Sequence, residues 1–408
     1  MVPEGWERLP LEKVAEVRTG VAKGKTGLKD PVMVPYLRVA NVQDGHINLD
    51  EVKKIEVDRH QLERYALKYG DVLMNEGGDF DKLGRGDVWL NQIRPCLHQN
   101  HVFAVRPKKE KIDSYYLAAL AASGYGKAYF LSCAKRSTNL ASINSTQLKE
   151  FPVLVPPLHE QRKIANILSS WDKAITTTEK LLANSRQLKK ALMQKLLTGK
   201  KRFPGFSTPF NRFHFSDILK VDVKNLGSKT PKDYEFYYIS LSEVDKGRIS
   251  DSLERYNFKS APSRARRVVS KGDLLLSTVR PNLQGIAKIT SKYEGCIAST
   301  GFSVLTPNEN VCGDYIYHYL FSAHVTGQIN SLVVGTNYPA ISSSDVAGLS
   351  IYLPSLDEQY KIAALLNNCD ENTNKIENKL RWLKMEKKAL MQKIITGRVR
   401  VDQQGVSA

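Results

Sequence analysis

The chain has 408 residues, and its 60 Lys and Arg against 42 Asp and Glu give a formal net charge of +18. The apolar fraction of 42% can fill hydrophobic cores, and the length predicts two or three domains. Neither a signal peptide nor an apolar run long enough for a membrane span is present, so we expect a cytoplasmic protein. The positive charge favours an anionic partner, most often nucleic acid.

Residues 1–155 predict a first domain of the α+β class. Runs rich in β-formers and bounded by Gly, Asp and Pro predict strands at Val34–Val42, Val72–Met74, Val88–Leu90 and Val102–Val105. Tyr115–Ala122 has the spacing of a helix.

A long helix is predicted directly after this domain. Pro156 and Pro157 set its start, apolar residues then recur in steps of three and four, and Gly199 follows the last of them. A helix over Leu158–Thr198 would be about 60 Å long at 1.5 Å per residue.

The second half of the chain repeats this order. The strand-like runs are Phe236–Leu241, Leu274–Ser277, Ile286–Ile289 and Phe302–Leu305, and Tyr315–Phe321 has helical spacing. A second long helix is predicted between Pro354 and Gly397.

Both ends of the long helices are repeated at one fixed offset. Pro156–Ala165 (PPLHEQRKIA) returns 198 positions later as PSLDEQYKIA, and Lys189–Gly199 (KKALMQKLLTG) returns at the same offset as KKALMQKIITG. The two helices therefore have equal lengths, and we predict that their apolar stripes pair as a coiled coil. The predicted organisation is a domain at 1–155, a helical segment at 156–200, a second domain at 201–353 and a second helical segment at 354–408.

No catalytic or metal motif is recognisable. Gly24-Lys25-Thr26 lacks the first glycine of a phosphate-binding loop, because Thr19 stands at that position. The five cysteines are scattered singly, so we predict free thiols and no bound metal. A self-contained nuclease with a diffuse active site remains open as the alternative to a non-catalytic binding protein.

Polar and basic loop residues are the candidates for nucleic-acid contact, because Arg and Lys suit guanine edges and phosphates, and Asn and Gln suit adenine edges. In the first domain these are Lys23, Lys25, Asn75, Lys82, Arg85, Lys135, Arg136, Thr138 and Asn139. In the second domain they are Arg264, Arg266, Arg267, Thr278, Arg280, Asn282, Gln284, Thr336, Asn337 and Tyr338.

Apolar residues outside the seam of the long helices predict a partner surface. They are Ile167, Leu181, Leu197, Leu365 and Ile395. Leu365 and Ile395 stand 198 positions after Ile167 and Leu197, which predicts two equivalent partners. The alternative is that the chain's own domains cover these residues.

The helix-start motif Pro-x-Leu-x-Glu-Gln-x-x-Ile-Ala, repeated after two divergent domains, resembles the specificity subunit of type I restriction–modification systems. The resemblance covers essentially the whole chain, although the second copy of the motif differs at Ser355, Asp357 and Tyr360. It implies two target-recognition domains held apart by two antiparallel helices in a pseudo-twofold arrangement. It also implies that this subunit has no catalytic centre.

The resemblance further implies double-stranded DNA, two modification (methyltransferase) subunits and restriction subunits as partners. S-adenosylmethionine, ATP and magnesium would be held by those partner subunits and not by this chain. Half-sites on one face of DNA are separated by about one helical turn, roughly 34 Å, or a multiple of it. Helices of fixed length therefore predict a bipartite target with an unread spacer, and the divergence of the two domains predicts unlike halves.

Overall fold

Two long helices, Leu158–Leu196 and Leu356–Ile394, are the longest elements of the computed structural model, and each has 39 residues. Each begins after the proline that the sequence marks as its start. Gly199 and Gly397 follow the helix ends with φ values of +68° and +67°, a left-handed conformation that glycine adopts without steric cost. The predicted helices and their equal lengths are confirmed.

The structure describes residues 2–23, 27–80, 83–136, 141–333, 339–402 and 405–406. The chain divides into a first unit, Met1–Glu179 with Lys379–Ala408, and a second unit, Lys180–Asn378. Each long helix contributes residues to both units. The α+β class is confirmed, because each unit combines sheets with short helices.

The first unit is built around a four-stranded antiparallel sheet. Its strands, in spatial order, are Ala15–Thr19, Val102–Pro107, Val72–Asn75 and Gly86–Val88. One three-stranded sheet has the order Leu97–His98, Pro31–Leu37 and Lys53–Asp58. A second has the order Lys135–Arg136, Ala141–Ser142 and Gly77–Gly78. The strand pairs are Glu7–Pro10 with Pro152–Val155, Val42–Gln43 with His46–Ile47, and Val401–Asp402 with Gly405–Val406. The short helices are Leu11–Val14, Leu62–Tyr65, Ser114–Ala122, Gly124–Cys133 and Ser145–Lys149.

The second unit repeats this plan. Its antiparallel sheet has the order Leu219–Val221, Phe302–Pro307, Leu274–Ser277 and Ile286–Lys288. A mixed sheet has the order Glu254–Asn257, Glu235–Ile239, Ile297–Ser299 and Ala265–Val268. The strand pairs are Asn211–His214 with Ser350–Leu353, and Val244–Asp245 with Arg248–Ile249. The short helices are Phe215–Ile218, Gly313–Leu320, Ala323–Leu332 and Ser343–Gly348.

The first turns of each long helix are part of the core of a unit. Ile164 and Leu168 pack in one core with Tyr116, Leu120 and Ile394 of the first unit. Their counterparts Ile362 and Leu366 are also fully buried, in the core of the second unit. The seam residues at the helix starts therefore bury their side chains against β-rich domains as well as against the other helix.

The Glu-Gln pair of each helix-start motif is buried and fixes the start of the helix. Gln161 accepts a hydrogen bond from the backbone of Asp113 (2.8 Å) and donates to the carbonyls of Lys111 (3.0 Å) and Pro156 (2.7 Å). In the second unit, Gln359 accepts from the backbone of Cys312 (3.0 Å) and donates to Pro354 (3.0 Å). The preceding glutamates are clamped by guanidinium groups, Glu160 by Arg400 at 2.9 Å and Glu358 by Arg202 at 2.5 Å.

Ion pairs between the long helices repeat at the offset of 198 residues. In the first unit Asp172 pairs with Lys387 (2.5 Å) and Glu179 pairs with Lys384 (2.6 Å). In the second unit the equivalent pairs are Asp370 with Lys189 (2.6 Å) and Glu377 with Arg186 (2.7 Å). Residue numbers rise along one helix as they fall along the other, so the helices are antiparallel in each unit.

Candidate nucleic-acid interface

A loop follows the inner strand Val72–Asn75 of the first unit and carries several predicted DNA-binding residues. We call it the first strand-end loop; it comprises residues 76–85, of which 81 and 82 lie outside the described part of the chain. Gly77–Gly78 in this loop pairs with Ala141–Ser142, which pairs in turn with Lys135–Arg136. The two clusters that the sequence predicts separately are therefore neighbours in this unit.

The second strand-end loop, residues 278–285, follows Leu274–Ser277 in the second unit. Val279 forms a β-bridge with Ala340, and the backbone of Arg280 donates to the carbonyl of Pro339 (2.7 Å). Pro339 and Ala340 therefore lie beside this loop, and the predicted cluster Thr336–Tyr338 lies outside the described residues.

The predicted basic segment Arg264–Arg267 connects to the same loop. The backbone of Thr300 donates to the carbonyl of Arg264 (2.8 Å), and the carbonyl of the next residue, Gly301, accepts from the backbone of Thr278 (2.8 Å). Three sequence-distant segments therefore converge where the strand Leu274–Ser277 of the second unit's antiparallel sheet ends.

Some predicted DNA-binding residues are buried and serve the fold. Asn75 is fully buried and donates to the carbonyl of Val42 (2.9 Å), and Thr278 is buried with its hydroxyl donating to Gly301 (2.9 Å). Arg267 is half-buried and forms an ion pair with Asp222 at 3.0 Å. The sequence predicts these residues in loops facing DNA. Side-chain hydrogen bonds of Asn75 and Thr278, and the ion pair of Arg267, instead hold them within the domain.

Other predicted residues are accessible. Lys23, Lys135, Arg264, Arg280 and Asn282 are exposed. Arg85 and Gln284 are half-buried, and the Nε atom of Arg85 has no hydrogen-bond partner among the described residues. The half-buried Arg266 stacks on the ring of Phe258 with its guanidinium carbon 4.7 Å from the ring centre.

Lys25, Lys82, Thr138, Asn139, Thr336, Asn337 and Tyr338 lie outside the described residues, and only the strand assignment of Arg136 is described.

Two polar residues at the base of the first strand-end loop, Glu76 and His101, were not predicted from the sequence. The backbone of Glu76 donates to the carbonyl of His101 (3.0 Å), and the Nδ1 atom of His101 lies 2.6 Å from a carboxylate oxygen of Glu76. A carboxylate suits the amino group of cytosine. Glu76 stands two residues after the predicted strand Val72–Met74 and His101 directly before Val102–Val105, and these positions are the signal that could have identified them.

The structure also brings further lysines to the basic segment of the second unit. The backbone of Val268 donates to the carbonyl of Lys224 (3.0 Å), and the backbone of Lys259 donates to the carbonyl of Lys232 (3.0 Å). Lys229 lies in the same loop as Lys224 and Lys232, and all of these lysines are exposed. Clustered exposed lysines suit contact with a phosphate backbone.

The predicted partner residues on the long helices have different environments. Leu181 is 53% exposed, whereas Ile167 and Leu365 are half-buried against the cores of their own units. Leu197 and Ile395 are only 2% and 0% exposed, so the prediction that they face outward is wrong. Ile395 packs in the core of the first unit and Leu197 in the core of the second. The helical period identifies a face of the helix but does not reveal which domain residues cover it.

The described part of the chain has scattered metal-ligating residue types and free thiols. It contains no group of three or more His, Cys, Asp and Glu residues that could hold a metal ion. Its cysteines are free, and burial raises the pKa of the Cys96 thiol to about 12, which keeps this thiol protonated. No helix among the described residues has the length and apolar character required to span a membrane.

The sequence and the fold are both similar to those of known proteins. The family model for the type I restriction modification DNA specificity domain matches residues 3–184 and 214–382. A relative from Methanocaldococcus jannaschii, provisionally named as the specificity subunit of the type I restriction enzyme MjaX, is 28% identical over 98% of this chain and 95% of its own length.

Solved structures of the same kind share the fold. The HsdS subunit of Thermoanaerobacter tengcongensis has a TM-score of 0.50 at 18% identity, and 97% of this chain and 98% of that chain are covered. A chain from a structure described as showing complex assembly and conformational transition of the type I R–M system has a TM-score of 0.58 at 18% identity, with the same coverage. The family model matches most of the chain, and the chain belongs to the type I restriction–modification DNA specificity subunits, the DNA-recognition component of these systems.

Proposed function

We propose that this specificity subunit reads a bipartite, asymmetric DNA target, with one recognition domain, 1–155 or 201–353, for each half. The observation that carries the proposal is the convergence of accessible polar and basic residues at the strand-end loop of each unit. The two loops occupy equivalent positions and differ in sequence, so their half-sites differ as well. Exposed lysines beside the second loop supply phosphate contacts, which position a protein on DNA without specifying bases.

The equal lengths of the long helices set the unread spacer in this proposal. Ion pairs at equivalent positions in both units hold the helices in one register. Their individual energies are small, because exposed pairs contribute about 0–1 kcal/mol each, but a register shift would break all of them together.

Methylation-sensitive sequencing of DNA modified by the reconstituted complex tests this proposal. We expect a motif of two unlike constant parts separated by bases of any kind. Deleting one turn from each helix at equivalent positions should shorten the spacer. Deleting a turn from one helix should abolish assembly of the complex, because the ion pairs between the helices would be out of register. A single continuous motif, or a spacer that does not change, would contradict the proposal.

We further propose that the chain is non-catalytic and binds two methyltransferase subunits and, with them, restriction subunits, in the cytoplasm. The exposed Leu181 and the equal helix segments support partner binding along the long helices. The comparisons give no support to the alternative of a self-contained nuclease. Purified chain incubated with DNA, magnesium and S-adenosylmethionine should neither cleave nor methylate, and native mass spectrometry of the co-expressed complex should show two methyltransferase subunits per chain. Turnover by the chain alone would refute the non-catalytic role. A complex with a single methyltransferase subunit would refute the proposed stoichiometry.

A further inference from the structure

The second strand-end loop holds a rigid tip on the surface of its unit. Arg280 and Gln284, at either end of the short turn Pro281–Leu283, have φ values of +49° and +55°, which are uncommon for residues other than glycine. Pro281 is buried, and the backbone of Leu283 donates to the carbonyl of Arg280 (2.9 Å). Unfavourable backbone conformations of this kind persist where the surrounding structure fixes them, and they cluster at functional sites.

This tip exposes a large apolar side chain. Leu283 is 59% exposed, more than any other leucine in the described residues. A single exposed leucine is ordinary on a protein surface. Leu283 differs because it stands between two side-chain amides, those of the exposed Asn282 and the half-buried Gln284, on a loop fixed from both ends.

The first unit has an apolar side chain on the equivalent loop. Phe80 is 38% exposed within the first strand-end loop, although that loop differs from its counterpart in length and sequence. Each strand-end loop therefore presents an exposed apolar side chain, although the polar residues around it differ. This recurrence favours a common role in contact with the ligand.

We propose that Leu283 is a specificity-determining residue that contacts the C5-methyl group of a thymine in the major groove. The inference rests on the proposed function, and it adds one base pair of the second half-site. Amide side chains read the adenine edge through N6 and N7, and apolar side chains read the thymine methyl group. Asn282 and Gln284 beside Leu283 therefore form a set of contacts that fits A·T pairs.

The test uses the reconstituted complex with its methyltransferase subunits and a duplex that carries the target identified by sequencing. Each thymine of the second half-site is replaced in turn by deoxyuridine, which lacks only the methyl group. We expect one replacement to weaken wild-type binding about fourfold, the effect of burying one methyl group. Leu283→Ala should weaken binding to the thymine duplex and make binding insensitive to that same replacement.

Leu90→Ala is the matched control, because Leu90 is 42% exposed but lies outside both strand-end loops and outside the long helices. It should keep the wild-type sensitivity to deoxyuridine. The salt dependence of binding should be unchanged in Leu283→Ala, since no phosphate contact is removed.

The outcomes separate this inference from the proposed function. Equal sensitivity to deoxyuridine in wild type and Leu283→Ala, or no sensitive thymine, would overturn the thymine contact while specific binding persists. Insertion of Leu283 between bases would also overturn the thymine contact. A 2-aminopurine placed in the second half-site would report insertion as a gain in fluorescence that depends on Leu283. Absence of any specific binding by the wild-type complex would refute the proposed function itself.

Discussion

Replacing the buried glutamine of a helix-start motif should destabilise one unit and leave the other intact. Gln161→Ala removes the partners of the Asp113 amide and of the Lys111 and Pro156 carbonyls. At about 1 kcal/mol for each net hydrogen bond, the expected cost is about 3 kcal/mol. Gln359→Ala removes the partners of the Cys312 amide and the Pro354 carbonyl, so its expected cost is about 2 kcal/mol.

The isosteric change distinguishes hydrogen bonding from packing. Gln161→Glu keeps the size and the acceptor of the side chain, but its carboxylate would face the carbonyl oxygens of Lys111 and Pro156, to which Gln161 now donates. A buried negative charge beside two acceptors is more costly than a small cavity, so we expect Gln161→Glu to destabilise the first unit more than Gln161→Ala. If packing dominated, the order would be reversed.

Hydrogen exchange measured by mass spectrometry suits this test, because a chain of two units does not unfold in one transition. Gln161→Ala should accelerate exchange in the cores of the first unit by roughly 100-fold, since every 1.4 kcal/mol corresponds to tenfold. Peptides from the core of the second unit should exchange as in wild type. The exposed Gln187→Ala on the same helix is the control. Wild-type exchange in Gln161→Ala, or equal acceleration in both units, would refute the role assigned to Gln161.

Further predictions concern apolar residues of the long-helix segments, pH and salt. Leu197→Ala should lower the free energy of unfolding by about 2–5 kcal/mol, because it truncates a buried core side chain. Leu181→Arg should leave unfolding unchanged and reduce methyltransferase binding in native mass spectra. An unchanged mass spectrum would exclude Leu181 from the interface. Burial lowers the pKa of His318 to about 4, below its usual 6.5, although Asp370 and Asp314 oppose the shift. The unfolded chain therefore binds more protons between these values, and the second unit should lose stability as pH falls from about 6.5 to 4, a loss that hydrogen exchange should show to be smaller in His318→Gln. Because of the +18 charge, the logarithm of DNA affinity should fall linearly with the logarithm of salt concentration; a flat plot would contradict phosphate contact.

The sequence determined the elements whose signals are local. Prolines, apolar periodicity and glycines marked the starts and ends of both long helices, and the strand Leu274–Ser277 was predicted with its observed bounds. The helices Gly124–Cys133 and Ala323–Leu332 were missed, because glycines and polar residues within them weaken the helical signal. The family resemblance also rested on local motifs, the two helix-start motifs and the matching helix ends.

Tertiary structure alone decided which side chains remain accessible. A helical period identifies a face but not what covers it, so Leu197 and Leu181 looked alike in the sequence although one is 2% and the other 53% exposed. In the same way, Asn75 and Arg85 belonged to one predicted cluster, yet strand pairing buries Asn75 against Val42 while Arg85 stays partly accessible. The meeting of Gly77–Gly78 with Ala141–Ser142 depends on strand pairing between segments far apart in the chain, which no local pattern encodes.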